Sequence, residues 1–170
     1  VSGGLEMAVE RAAGYGFNCV QLFSHSPRVW RQRDIADEEI ARFRAARRKH
    51  GMRAVVVHAP YLVNLASPDA SVREKSRTTL SNDVLLADRL GADDYVMHPG
   101  SPKDDGREAG AARLIDALAG IFEEYRPRLR FLLETTAGGG AQLGGEMAGL
   151  YELLDRLAAR PESTGAFLER

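Results

Sequence analysis

Cysteine is nearly missing from this chain. Cys19 is the only one among 170 residues, so no intrachain disulfide can form. It lies in the apolar run NCVQLF and is expected to be a small core residue, in keeping with a reducing cytoplasm. No apolar run approaches the roughly 20 residues that a membrane-spanning helix needs, so no membrane association is expected. The opening VSGGLEMAVERAA lacks a basic stretch followed by an apolar one, so it does not read as a secretory signal. The initiator methionine is also absent, and Val1-Ser2-Gly3-Gly4 reads as the end of a loop, as in a fragment. Charge is not biased to one sign. Lys and Arg total 23 against 24 Asp and Glu, a net charge of −1, so any nucleic-acid role must rest on local charge. No G-x-G-x-x-G follows the first expected strand, which weighs against a nucleotide-binding open sheet.

What is present is an ordinary globular balance, 44% hydrophobic and 28% charged, over a length that supports one domain with a core. Short apolar runs alternate with longer amphipathic stretches. Helices are expected over 5–15, 37–50, 71–90, 107–125 and 146–159, and strands over 18–23, 54–58, 94–98, 129–134 and 164–169. Strands of continuous apolar character alternating with helices predict a parallel sheet covered by helices, either doubly wound or closed into a barrel.

Three of these strands end on a side chain that can ligate a metal: AVVVH on His58, DYVMH on His98 and FLLE on Glu134. The carboxyl ends of parallel strands form the functional face of such folds. Two imidazoles and a carboxylate there match the His₂Glu set of a zinc site that keeps an open position. A metal also explains how an apolar strand can end on a carboxylate. The remaining histidines lack this setting: His50 closes a helix, where it favours the dipole, and His25 lies in a polar loop where it is expected to be exposed. The loop SHSPRVWRQR gathers Arg28, Arg31 and Arg33 around Trp30, a mix that can grip phosphates and stack on bases. The glycines of TTAGGGAQLGG are expected to adopt positive φ and to leave room for a nucleic-acid backbone.

In order along the chain, VSGGLEMAVERAAGYGFNCVQLF, SPRVWR, HAPYLVNLASPD, EKSRTTL, HPGS and LLETTAGGGAQLG resemble the endonuclease IV family, the type 2 apurinic/apyrimidinic endonucleases or deoxyribonuclease IV enzymes. The resemblance covers nearly the whole chain. It implies a (β/α)8 TIM barrel of the xylose-isomerase-like type and a zinc-dependent DNA repair hydrolase. Such an enzyme acts on double-stranded DNA containing abasic sites. It cleaves the phosphodiester on their 5′ side and leaves a 3′-hydroxyl. The family holds three zinc ions. His58, His98 and Glu134 fall on zinc ligands, Glu134 on the carboxylate that bridges two metals. Glu169 falls where the family's sixth strand ends on an aspartate ligand. Arg28 and Tyr61 fall on side chains that press into the duplex. Metal-activated water would attack phosphorus in line, with Glu134 as the catalytic carboxylate and no covalent intermediate.

A barrel of this kind typically takes about 250 residues. The 170 residues are therefore expected to form a single incomplete barrel domain over 1–170, about strands 2 to 6 with their helices, truncated at both ends. One three-ligand site is nearly complete, and the isolated chain is expected to be a cytoplasmic monomer without robust nuclease activity. The alternatives are a metal-dependent sugar isomerase or epimerase on the same barrel, or a DNA-binding remnant without turnover.

Overall fold

In the computed structural model, residues 3–160 are described together with the backbone of residues 167 and 168. Local chemistry punctuates each strand–helix unit. The helix Ala70–Leu90 starts where the Asp69 carboxylate accepts from the Ser71 and Val72 amides at 2.8 and 3.3 Å, which satisfies two of the free N–H groups of its first turn. It stops at Gly91, whose φ of 73° is left-handed and lets the Ala92 amide turn back to the Ala87 carbonyl. The same closure, an amide bonding back five residues, ends the helices Glu6–Gly14 (Phe17 to Ala12) and Asp37–Lys49 (Met52 to Arg47). Each time the chain is delivered directly into a strand.

The elements run α1 (Glu6–Gly14), β1 (Cys19–Leu22), α2 (Asp37–Lys49), β2 (Ala54–His58), α3 (Ala70–Leu90), β3 (Asp94–Met97), α4 (Arg107–Tyr125), β4 (Arg130–Leu133), α5 (Met147–Ala158) and β5 (Phe167–Leu168). Expected and observed boundaries agree within a residue or two, except that the last expected strand, 164–169, is described only at Phe167–Leu168. All five strands are parallel and lie in the sheet in chain order, β1-β2-β3-β4-β5. A doubly wound sheet reverses its strand order at a switch point. This one does not, and successive helices pack neighbour against neighbour. That is the path of consecutive units in a (β/α)8 barrel.

Alternation along the strands gives the sheet two unlike faces. Val55, Val57, Tyr95, Met97, Phe131 and Leu133 are buried and belong to the core with the helices. Phe122 and Tyr95 flank Phe131, at ring-centroid distances of 5.1 and 5.6 Å. The other parity carries Cys19, Gln21, Val56, Asp94, Arg130 and Leu132, and here the Arg130 Nε donates to Asp94 at 2.6 Å. Cys19 is exposed on β1, contrary to the expectation of a core position. The apolar run around it misleads because its alternate residue, Leu22, supplies the buried contact while Cys19 takes the opposite parity.

An ion pair between a buried carboxylate and a half-exposed guanidinium fastens the start of the chain to the barrel wall. Arg33 donates to both oxygens of Glu39 at 2.8 and 2.6 Å, and the Leu5 amide donates to the same carboxylate at 3.0 Å. These bonds hold the Glu39 carboxyl down at about 2, with the Arg33 guanidinium the largest cause. A carboxylate depressed in the folded state stabilises above its unfolded pKa, and the benefit is lost as pH falls through the folded one. Glu39→Gln should therefore cost about 1 kcal/mol at neutral pH, less than a fully buried charge-assisted bond because solvent screens the half-exposed guanidinium. Urea unfolding at a series of pH values should show the gap between variant and parent narrowing from about pH 4.5 towards pH 2.

Candidate metal centre

His58 is the last residue of β2, His98 directly follows β3 and Glu134 directly follows β4. All three share the parity of the non-core face. Register brings them level. Val96 is paired with Leu132, so His98 lies opposite Glu134, and the Glu134 amide donates to the Met97 carbonyl at 2.9 Å. His58 is paired with Val96, one side-chain step lower, and the longer glutamate arm spans the difference.

The result is a tight donor set. Glu134 Oε2 lies 3.0 Å from His58 Nε2 and 3.5 Å from His98 Nε2, and one ligand atom from each residue falls within 4.8 Å of the others. Metal–nitrogen bonds near 2.0–2.1 Å in a tetrahedron place ligand atoms about 3.3 Å apart, so the 3.0 and 3.5 Å separations from Glu134 suit a shared divalent metal ion. His58 Nδ1–H donates to the Ala59 carbonyl at 2.7 Å. With Nδ1 turned to that carbonyl, Nε2 is the nitrogen that faces Glu134, the orientation of a ligating imidazole supported from behind. A divalent metal bound between Nε2 and the carboxylate oxygen would bring the two together at about this distance.

The surroundings are built to hold this corner. A cavity of about 470 Å³ opens above it, lined among others by His58, Tyr61, Asn64, His98, Ser101, Thr136 and Gln142. The imidazole of His58 is wedged between Phe23 and His98, with ring centroids 5.3 Å away on either side. Asn64 ties two rim loops together. Its amide oxygen accepts from the Ser101 amide at 3.0 Å and its Nδ2 donates to the Ser101 carbonyl at 2.9 Å. The third loop closes on the second: Leu143 N–H donates to the Gly100 carbonyl at 2.8 Å and Thr136 N–H to Gly144 at 3.1 Å. At Gly144, where φ is 77°, a β-carbon would come within 2.9 Å of Pro99. Of the glycines after Glu134, Gly138, Gly140 and Gly144 adopt positive φ and Gly139 and Gly145 do not, and at Gly144 the demand comes from packing against the HPGS loop.

The other sequence-derived residues are distributed as follows. Tyr61 stands exposed at the cavity mouth, edge-on to Phe23 at 5.2 Å. Arg28 is exposed on the loop between β1 and α2 and does not line the cavity. Glu169 lies outside the described residues. Arg33 does not join a basic cluster around Trp30, because its guanidinium is committed to Glu39. His50 closes α2 as expected and meets Glu10 at 2.7 Å. His25 is not exposed: its side chain is 6% accessible and sits against Asp83. Asn64, Gln142 and Phe23 were missed as site residues, since nothing about a neutral side chain in a loop marks it before the loops are brought together.

A sequence model of the xylose isomerase-like TIM barrel family matches residues 9–163. Among curated proteins, the probable endonuclease 4 of Halothermothrix orenii is 33% identical over 157 residues, covering 92% of this chain and 56% of that protein. The probable endonuclease 4 of Trichlorobacter lovleyi is 39% identical over 147 residues, covering 85% and 52%. The chain belongs to the endonuclease IV family of xylose isomerase-like TIM barrels. The crystal structure of endonuclease IV from Thermus thermophilus superimposes with a TM-score of 0.77 at 32% identity, covering 95% of this chain and 56% of that one. The chain thus spans about half the length of the relatives it matches. The expected fold is the observed one, a (β/α)8-type arrangement of which these residues form part.

Two outcomes are expected at this centre. Titration with zinc or cobalt, followed by calorimetry or cobalt absorbance, should show one tight site, and His98→Ala should weaken it at least about 100-fold, more than the loss of an outer-shell partner. Gly100→Ala should also weaken it and lower the melting temperature, because Gly100 has φ 85° and its β-carbon would collide with the Asn64 amide that pins the rim.

Proposed function

We propose that these residues form part of a zinc-dependent DNA repair endonuclease that hydrolyses the phosphodiester 5′ to abasic sites in duplex DNA and leaves a 3′-hydroxyl. The observation that carries the reading is the His58–His98–Glu134 corner at the strand ends, on a chain whose relatives bear the name endonuclease 4. A zinc ion held there supplies Lewis-acid activation of water and neutralises charge on a phosphate oxygen. The chain's own groups supply the setting. His58 and His98 present their ring nitrogens from one wall, and Glu134 presents its carboxylate from the next strand. Tyr61, 62% exposed at the mouth beside the metal corner, is placed to press an aromatic ring into a duplex beside a flipped nucleotide. Arg28 offers an exposed guanidinium on the adjacent loop for the strand opposite. The cytoplasm, where the DNA lies, is the site of action that this reading assigns. Among the described residues no helix is long and apolar enough to cross a membrane.

The sugar isomerase or epimerase alternative shares the barrel but has no use for an exposed Arg28 and Trp30 loop. The two readings part in a binding assay. The zinc-loaded chain should bind an abasic-site duplex at least about tenfold more tightly than an intact duplex, an advantage that a chelator and Tyr61→Ala should each remove. Equal binding to both duplexes would overturn the reading. Incision by the 170 residues alone is expected to be weak or absent. Grafting them in place of the matching segment of a full-length endonuclease IV should give zinc-dependent cleavage on the 5′ side of the abasic site, lost in His58→Ala. Robust incision by the isolated chain would overturn the expectation of inactivity.

A further inference from the structure

Outside the metal corner, the most unusual cluster is Ser24, His25, Asp83 and Tyr95. Asp83 lies within α3 and its side chain is fully buried. It accepts from the Tyr95 hydroxyl at 2.7 Å and from the Ser24 hydroxyl. With its proton given to Asp83, Ser24 Oγ can only accept from His25 Nδ1, 2.9 Å away, and Asp83 Oδ1 is 3.3 Å from the same nitrogen. On the far side of the ring, Nε2 faces the Arg33 carbonyl at 3.0 Å. Every group facing either nitrogen is thus an acceptor. A neutral imidazole has one N–H and can satisfy only one side, whereas the imidazolium satisfies both.

The position of this ring gives the observation its consequence. His25 and Arg33 are the two ends of a loop whose tip carries Arg28 and Trp30. The ring bridges the loop's neck and joins it to α3. We propose that protonated His25 is a clasp that closes the 25–33 loop on itself and against α3, and so fixes where Arg28 and Trp30 stand. His25 is a positioning residue, and its bearing on DNA rests on the reading of Arg28 given above. The groups around it are Asp83 from α3 and, through it, Tyr95 from β3, Arg33 and Asp34 from the loop itself, and Arg89 from α3, which is engaged by Asp37. Burial alone would disfavour the charged ring, yet the bonds to Asp83 and the Arg33 carbonyl outweigh it and the pKa is raised. A cation favoured in this way holds at acidic pH and lets go as pH rises through its own elevated pKa. A second tether, Gln32 Nε2 to the Thr79 carbonyl at 3.1 Å, keeps the loop near α3 when the clasp opens.

Trp30 is the only tryptophan in the chain, so its fluorescence reports this loop. In the intact 170-residue protein, acrylamide quenching of Trp30 should rise about twofold in one transition with a midpoint above about pH 6.5, as the loop opens locally. The transition should vanish in His25→Gln, which keeps a donor but does not titrate. A flat parent profile, or an unchanged profile in His25→Gln, overturns the clasp. Should His25→Gln fold poorly, imidazole nitrogen-15 shifts of the parent at about pH 6 decide the matter: both ring nitrogens protonated supports it, a neutral ring overturns it. Affinity for an abasic duplex at about pH 6 and pH 8.5, compared between parent and His25→Gln, separates the two ideas. If Trp30 titrates and the duplex is bound at neither pH, the clasp stands and the DNA reading fails. If the duplex is bound and Trp30 titrates but the parent's pH dependence equals the variant's, the clasp does not position Arg28.

Discussion

In a parallel sheet a side chain's face is fixed by whether its residue is odd or even along the strand, and its height is fixed by register. Everything at the metal corner depends on that constraint. His58, His98 and Glu134 each have the parity that faces away from the helices, and the pairing of β2, β3 and β4 sets them at nearly one level. A slip of one residue in β4 would turn Glu134 towards the helices and bring Leu133 to the corner. The core-facing residues Phe131 and Leu133 oppose that slip, because it would turn them out of the core. The hydrophobic core and the ligand set are thus two readings of the same alternation.

The loops add a second layer of order to that frame. Asn64 joins the rim loop after β2 to the one after β3, and Gly144 allows the loop after β4 to close against Pro99. The corner therefore sits on rigid strand ends and is framed by loops that hold one another. On the far side, Asp83 does comparable work with buried charge. A carboxylate with no solvent access must be fully bonded, and the partners it draws in are a strand tyrosine, a serine and the histidine of the neighbouring loop. Burial and that same carboxylate drive the Tyr95 hydroxyl's pKa far up, which keeps it a donor.

The alternation of apolar runs and amphipathic stretches was enough to locate every described element, because each unit carries its own start and stop chemistry. The candidate ligands at the strand ends were equally legible, since a histidine or glutamate at the end of a buried strand stands out against its neighbours, and the structure brings the three together. Neutral or committed side chains were not. Asn64 looks like any loop asparagine until Ser101 is brought to it. Arg33 looks like a member of a basic cluster until Glu39 takes it. His25 looks exposed because its neighbours in sequence are polar, whereas its neighbours in space are a buried aspartate and a carbonyl.

By itself the sequence determined the parallel α/β architecture and the residue types at the three strand ends that could ligate a metal, since both follow from periodicity and residue type within a few positions of one another. Only the tertiary structure decided which charges are spoken for. The pairing of Arg33 with Glu39, of His25 with Asp83 and of His58 with Glu134 spans 6, 58 and 76 residues of chain. Whether a charge is free or compensated depends on what folding brings within about 3 Å of it, a distance that sequence separation does not measure.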